Sequence, residues 1–441
     1  MATHDYNIAN QGFPAFRSDL NDALAAIVSN NSSATAPSTT FAHMIWVDTA
    51  ADPSVVKIRN SDNDAWIDWF SIDQTNDRIK VINARELKVG SVTYTLPTSD
   101  GTSGQALKTD GSGVLTFGEV GATAYGLFRK ADPTIVAWSK TGNFTVSTAT
   151  TLYIEVNGTL HTIASSTAVT MPGSATTGTD YAIWAKTDGT LEATTNHSSP
   201  PTANARKVGG FHYAPGGNAT GTSGGNTTAQ INEYSMWDLK WRPACPDPRG
   251  MTLVGGGFWA DIYLTGVDAI TNGSSKYNVT MADGSSPPKV PTMFGGNGST
   301  TYGSYTWFEA MELATAFGKK CPTQMEFMSL AYGTTEASSI GSDQVSTILN
   351  AAYTSKWGVM QSAGVLWSWA RDRGGPAAAA SWNANTEGRG SEYNAPNAGI
   401  LGGVWGRGSD SGSRCSIWNN SASVSDNSIG SRFVCDHLQL D

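Results

Sequence analysis

Four cysteines, six histidines and 37 carboxylates are the groups with which this chain could hold a metal, move electrons or cleave a glycosidic bond. Cys245, Cys321, Cys415 and Cys435 show no paired CxxC spacing, which argues against a zinc site or a redox motif. Each lies among apolar or aromatic neighbours and reads as a small buried hydrophobe. A Cys415–Cys435 bridge is conceivable, but bridging depends on geometry that spacing does not give. Asp132, Glu155, Asp180, Asp188 and Glu192 are scattered, and most of them read as turn or solvated residues. They lack the signature of a glycosidase, whose two carboxylates stand about 5–10 Å apart. The histidines have no GxSxG partner. Calcium-dependent sugar binding needs converging oxygens, and Asn394-Ala395-Pro396-Asn397 only echoes the Glu-Pro-Asn triplet that goes with it. No catalytic residue, metal ligand or cofactor is expected.

Recognition is the chemistry that remains. Between Gly403 and Gly430 large or committed side chains (Trp405, Arg414, Trp418, with Arg432 just beyond) are suited to anchor a fold through ring burial and a forked guanidinium. Among them stand Gly406, Arg407, Gly408, Ser409, Asp410, Asn419, Asn420, Ser421, Ser423, Ser425, Asp426 and Asn427, without periodicity. Adaptable hydrogen-bonding groups on a rigid scaffold make a binding surface. A plain solvated loop has the same composition, and composition alone favours the loop.

The elements that must position these residues are mostly strands. Of 441 residues only 15% are charged, while 48 are Gly and 43 are Trp, Tyr or Phe (15, 14 and 14). Such a balance suits short strands joined by tight turns. A net charge of −9 without any basic run argues against nucleic acid. The N-terminus lacks the basic and apolar regions of a secretory signal. No apolar run reaches the roughly 20 residues that cross a bilayer, so membrane insertion is not expected.

Four segments are expected. Residues 1–75 carry one helix, with Phe16, Leu20, Ala23, Leu24, Ile27 and Val28 on its apolar face, Asp19 and Asp22 toward its N-terminal end, and Asn30-Asn31 ending it. Strands at 44–48, 55–59 and 67–70 follow. Residues 76–124 form a β stalk punctuated by Asp-Gly turns. Residues 125–240 form a β domain with strands at 134–138, 151–156, 160–163, 180–186 and 208–213. Residues 241–441 are α+β, with a helix over 305–318 and a second opening at Cys321-Pro322, where Thr323 and Glu326 have capping-box spacing.

The strings WFEAMELATAFGKKCPTQMEFMSLAYG from Trp307, LWSWARD (366–372), GGVWGRGSDSGSRCSIW (402–418) and IGSRFVCDHL (429–438) resemble the C-type-lectin-like fold. The branch is the one that holds the formylglycine-generating enzymes and the variable proteins of diversity-generating retroelements. GGFHYAPGGN (209–218) and INEYSMWDLKWRPACPDPRGM (231–251) extend the resemblance over most of 125–441, on the side of the variable, phage-tail receptor-binding members. The WVDTAADPSVVKIRNSDNDAWIDW meander and the Gly-Asp stalk resemble the tail-fibre sequences that join a fibre to the virion.

The resemblance implies a mainly β homotrimer: an anchor module, a β stalk, a prism- or sandwich-like middle and a C-type-lectin-like tip. It implies a place in the virion tail, a host-surface receptor (protein or glycan) as partner, and tail or baseplate proteins as partners of the N-terminus. Its diversified, receptor-reading positions fall on Val404, Gly406, Arg407, Gly408, Asp410, Ile417, Asn419, Asn420, Val424, Asp426, Ser428 and Ile429. Trp405, Arg414, Trp418 and Arg432 fall on scaffold positions, and Ser381, Trp382, Asn383 and Asn385 are expected beside the face. The oxidases of the branch need paired cysteines where this chain has Cys415 alone, so oxidase chemistry is not expected.

Overall fold

The structure, a computed structural model, describes all residues except 1–3, 5, 6, 9, 74, 82–85, 90, 101–104, 120–125, 216–222, 376–381, 385–388, 390 and 441. It is mainly β, 35% strand and 12% helix. The chain folds as two compact units, Met1–Thr123 and Ala124–Asp441.

In the first unit the helix Phe13–Val28 starts with proline in its first turn, where a missing N–H is harmless. Asn30 and Asn31 end it at φ 50° and 54°. Asp19 and Asp22 were expected near the N-terminal dipole, but they lie deep inside the helix, beyond the dipole's reach. Asp19 instead pairs with His4 Nε2 at 2.7 Å and accepts from Gln11 Nε2 at 3.2 Å. A four-stranded antiparallel meander follows, Ile45–Asp48, Ser54–Arg59, Trp66–Asp73 and Arg78–Val81. Trp46 is buried in it against Trp66. Two hairpins succeed it, Glu86–Val89 with Val92–Thr95 and Gln105–Thr109 with Leu115–Glu119. In the second, the Asp110 carboxylate accepts from the Ser112 and Val114 N–H groups and shapes the turn.

The second unit begins with layered β structure. A four-stranded sheet runs in the order Leu191–Thr194, Thr179–Ala185, Arg206–Ala214, Gln230–Asp238. It shares one core with the three-stranded sheet Thr159–Ile163, Leu152–Val156, Phe128–Lys130 and with the hairpin Trp138–Gly142/Thr145–Thr148. Trp138, Leu152, Ile154, Tyr181, Ile183, Phe211 and Ile231 fill that core. Asn157 and Gly158, at φ 51° and 83°, make the tight hairpin turn their types predict. The strand expected over 134–138 starts only at Trp138, because Asp132 accepts from the Thr134 N–H and holds the segment before it as a turn.

Beyond Trp241 two further sheets form. In one, Trp241–Pro243, Val434–Gln439, Phe258–Asp261 and Met251–Val254 lie side by side in that order, so the strand after residue 433 is interior to the sheet. In the other, Ser416–Asn420, Asn397–Leu401, Trp367–Gly374 and Ile429–Gly430 are neighbours in that order. The helices Trp307–Ala316 and Gln324–Leu330 pack against this sheet, each opened by a capping box, Thr306/Glu309 and Thr323/Glu326. The first is shorter than the 305–318 span expected from its apolar pattern, since Thr306 caps it and Gly318 turns away at φ 65°. All four cysteines are free thiols. The conceivable Cys415–Cys435 bridge is not made: Cys415 precedes the edge strand of one sheet and Cys435 lies inside the other.

Candidate functional site

The segment 402–430 leaves the sheet as a loop, returns as the edge strand Ser416–Asn420 and loops again before Ile429–Gly430. Its first loop is fixed through main chain. Gly402 and Gly403 adopt φ 93° and 88°, and a Cβ on Gly403 would meet the Ser411 Oγ at 2.3 Å, so only glycine allows this approach. Gly402 donates to the Cys415 carbonyl and Trp405 to the Val365 carbonyl. A second segment clamps the loop from outside. The Ser339 hydroxyl donates to the Trp405 carbonyl at 2.7 Å and accepts from the Gly408 N–H at 2.9 Å, while the Glu336 carboxylate accepts from the Ser413 N–H at 2.8 Å. The short 3-10 turn Gly408–Asp410 sits at the tip.

The second loop is held the same way. Trp307 N–H donates to the Ala422 carbonyl, Gly284 N–H to the Asp426 carbonyl and Trp367 N–H to the Ser428 carbonyl. The Ser425 hydroxyl accepts from the Tyr305 N–H at 2.9 Å. Asp426 closes the turn, its carboxylate accepting from the N–H and hydroxyl of Ser428.

On this frame Gly406, Arg407, Gly408, Asp410, Asn419 and Asp426 are exposed, and Ile417, Asn420, Val424 and Ser428 are half-buried. Two expected face residues are corrected. Val404 and Ile429 are 9% and 3% exposed and belong to the apolar core with Trp367, Trp369 and Ile400. An apolar side chain beside a solvated loop gains by turning inward, so both lie in the core rather than on the exposed face.

The four expected scaffold residues divide. Arg432 is fully buried and its guanidinium donates to the carbonyls of Asp261, Ile262, Met360 and Gln361 at 2.6–3.1 Å. Burial lowers it to about 9. Trp418 is half-buried and lies over Gly374, Gly375 and Gly399; its indole N–H donates to the Ser416 hydroxyl. Trp405 is half-buried against the core. Arg414 is a correction: it is exposed, and its guanidinium makes no ion pair among the described residues. It lines, with Trp367, Arg407, Asp410, Cys415, Ser416 and Ile417, an open concavity of about 400 Å³.

Two guanidinium groups and one carboxylate in a mostly polar concavity suit a ligand that offers hydrogen-bonding groups. Burial raises the half-buried Cys415 thiol, with Asp410 adding to the shift against Arg407, so the sulfur stays protonated and a poor nucleophile. Trp382 and Asn383 lie on the strand Trp382–Ala384, of whose side chains nothing is described, and Ser381 and Asn385 fall outside the described residues. Sequence reasoning missed the clamp residues Glu336 and Ser339. They stand some 70 residues upstream in polar coil, with no local pattern to mark them.

Residues 136–238 match the family described as Mtd second domain. The chain is 52% identical over 326 residues, 71% of its length and 85% of the other protein's, to the tail fiber receptor-binding protein of Bordetella phage BPP-1. The fold is similar to solved structures of the major tropism determinant variants M1 and P3c. Each has a TM-score of 0.70 at 43% identity, covering 91% of this chain and 96% of theirs. With most of both chains aligned at such identity, the chain belongs to the major tropism determinant family of phage tail fibre receptor-binding proteins.

Proposed function

We propose that this chain adsorbs a virion to its host by non-covalent adhesion through the outer face of residues 406–428. Arg407, Asp410, Asn419 and Asp426 are the principal contacts, with Ile417, Asn420, Val424 and Ser428 beside them and Gly406 and Gly408 shaping the tip. One observation carries the reading: exposed, chemically varied side chains stand on two loops and the edge strand between them, a path set by main-chain hydrogen bonds to a buried scaffold. A surface ordered before binding loses little conformational entropy on contact. The relatives are receptor-binding tail fibres, which favours adhesion over catalysis.

The ligand is a protein or glycan of the host surface, and the site needs no metal or cofactor. Three copies acting together raise the effective concentration of each tip, so a modest single-site affinity suffices. The first unit joins the fibre to tail or baseplate proteins. The test is a virion carrying Arg407→Ala, Asp410→Ala, Asn419→Ala and Asp426→Ala together. Adsorption to host cells is expected to fall at least about tenfold, the loss of roughly 1.4 kcal/mol of binding, with the melting temperature lowered only by the roughly 2–4 °C that losing the Asp426 turn bonds costs. Wild-type adsorption by a stable quadruple variant refutes the reading.

A further inference from the structure

We propose that Cys245 and Cys435 form a cross-strand disulfide site, closed by hydrogen peroxide once the fibre has left the reducing cytosol. The strand Trp241–Pro243 pairs antiparallel with Val434–Gln439 in the register Trp241↔Gln439, Arg242↔Leu438, Pro243↔His437. The ladder continues, for the Ala244 N–H donates to the Asp436 carbonyl at 2.9 Å. Extended one step further, just past the end of the strand at Pro243, the same register sets Cys245 against Cys435. Directly opposed residues of an antiparallel pair have Cα atoms about 4.5–5.5 Å apart, within the roughly 4.4–6.8 Å that a disulfide spans.

The side chains agree with the backbone. Both sulfurs touch one atom, the Met251 Sδ, at 3.6 Å from Cys245 and 4.0 Å from Cys435. Both belong to one apolar cluster with Trp237 and Trp259, and they are 1% and 3% exposed. The other two cysteines have no such partner: Cys321 is in a different core cluster and Cys415 on the outer rim.

The two thiols are also unlike each other. The Cys245 S–H donates to the Asp247 carbonyl at 3.2 Å. The proximity of the two thiols, with the nearby Lys319 ammonium, holds the Cys245 thiol below its ordinary value, while the same proximity and burial push Cys435 up. With Cys245 as the attacking sulfur the steps balance. Its thiolate attacks the O–O bond of peroxide, which breaks to leave a sulfenic acid and hydroxide, and hydroxide takes the proton Cys245 lost. The Cys435 sulfur then attacks the Cys245 sulfur. An S–S bond forms, and the sulfenic hydroxyl leaves with the Cys435 proton as water. Two thiols and one hydrogen peroxide give one disulfide and two waters. Peroxide is small enough to reach a site that excludes bulkier oxidants. Tail proteins fold in a reducing compartment and act outside it, which is the setting where such a bond forms late and persists.

The experiment treats the purified full-length chain with hydrogen peroxide, alkylates it in denaturant and maps it by mass spectrometry without reductant. Two of the four thiols should disappear, a linked Cys245–Cys435 peptide should appear and vanish with dithiothreitol, and the melting temperature should rise by about 5 °C. Cys415→Ser should leave the link intact, and Cys245→Ser should abolish it. Four thiols still titratable after peroxide, a Cys245 sulfinic acid beside a free Cys435, or a link through Cys415 or Cys321 would each overturn the assignment.

Discussion

Arg432 shows what one side chain costs and supplies. Its guanidinium is sealed from water and satisfied by four carbonyls from two separate segments, 261–262 and 360–361. Removing it leaves those acceptors buried and unpaired, so Arg432→Met is expected to destabilise the second unit by about 3–5 kcal/mol, read by urea denaturation. Ile429→Ala should cost about 2–5 kcal/mol because its side chain is core. Asn419→Ala, exposed on the edge strand Ser416–Asn420, should stay within about 0.5 kcal/mol. Equal effects at Ile429 and Asn419 would show that the division between core and face is misdrawn. At this scale the sequence was a partial guide. The residue types of the Trp405–Arg432 stretch advertise anchors and contacts, but type alone does not tell which way a side chain turns. Val404 and Ile429 turned inward and Arg414 outward because burial follows the local path of the loop, which glycines and distant clamps decide.

Strands and helices were more legible where the pattern is local. The Asn157-Gly158 turn and the Thr323/Glu326 cap are written in adjacent residues and fold as written. Strand pairing is not local, and the order that sets Val434–Gln439 between Trp241–Pro243 and Phe258–Asp261 has no signature in spacing. Glycine within a strand hints at a close neighbour without naming it: a Cβ on Gly399 would come within 2.8 Å of the Trp418 ring. Gly399→Ala should therefore displace the indole, seen as a shift in tryptophan fluorescence and a loss of about 1–3 kcal/mol.

A polar bridge ties the two halves of the second unit. His212 joins Asp180 at 2.9 Å to the Tyr263 hydroxyl at 2.9 Å, and Asp180 also accepts from the Gly250 N–H. Burial pushes the Asp180 carboxyl up, but His212 and the Gly250 N–H outweigh it and hold the carboxyl below its usual value of 3.8. A carboxyl depressed in the fold contributes stability above its unfolded value and loses it as pH falls through the folded one. Wild-type protein should thus lose stability below about pH 4 more steeply than Asp180→Asn, measured by denaturant midpoints from pH 7 to pH 3.

For the molecule as a whole, each unit has its own buried residues, Trp46 and Val56 in the first and the large clusters of 124–441 in the second. Expressed alone, Ala124–Asp441 is expected to fold, to bind host cells and to be unable to join a virion. A chain that aggregates or melts without cooperativity in calorimetry would refute that independence.

The central position of Val434–Gln439 reaches further than stability. The 404–429 segment is encoded upstream of this strand, so a stop or frame error within it also deletes a piece that two neighbouring strands must grip. Such a product is left with unpaired edges and an open core, and it fails before it can be built into a particle. Errors that only exchange one exposed side chain for another leave the sheet complete. The fold thus depends on residues beyond 430, whereas it tolerates exchanges of exposed side chains within 406–428.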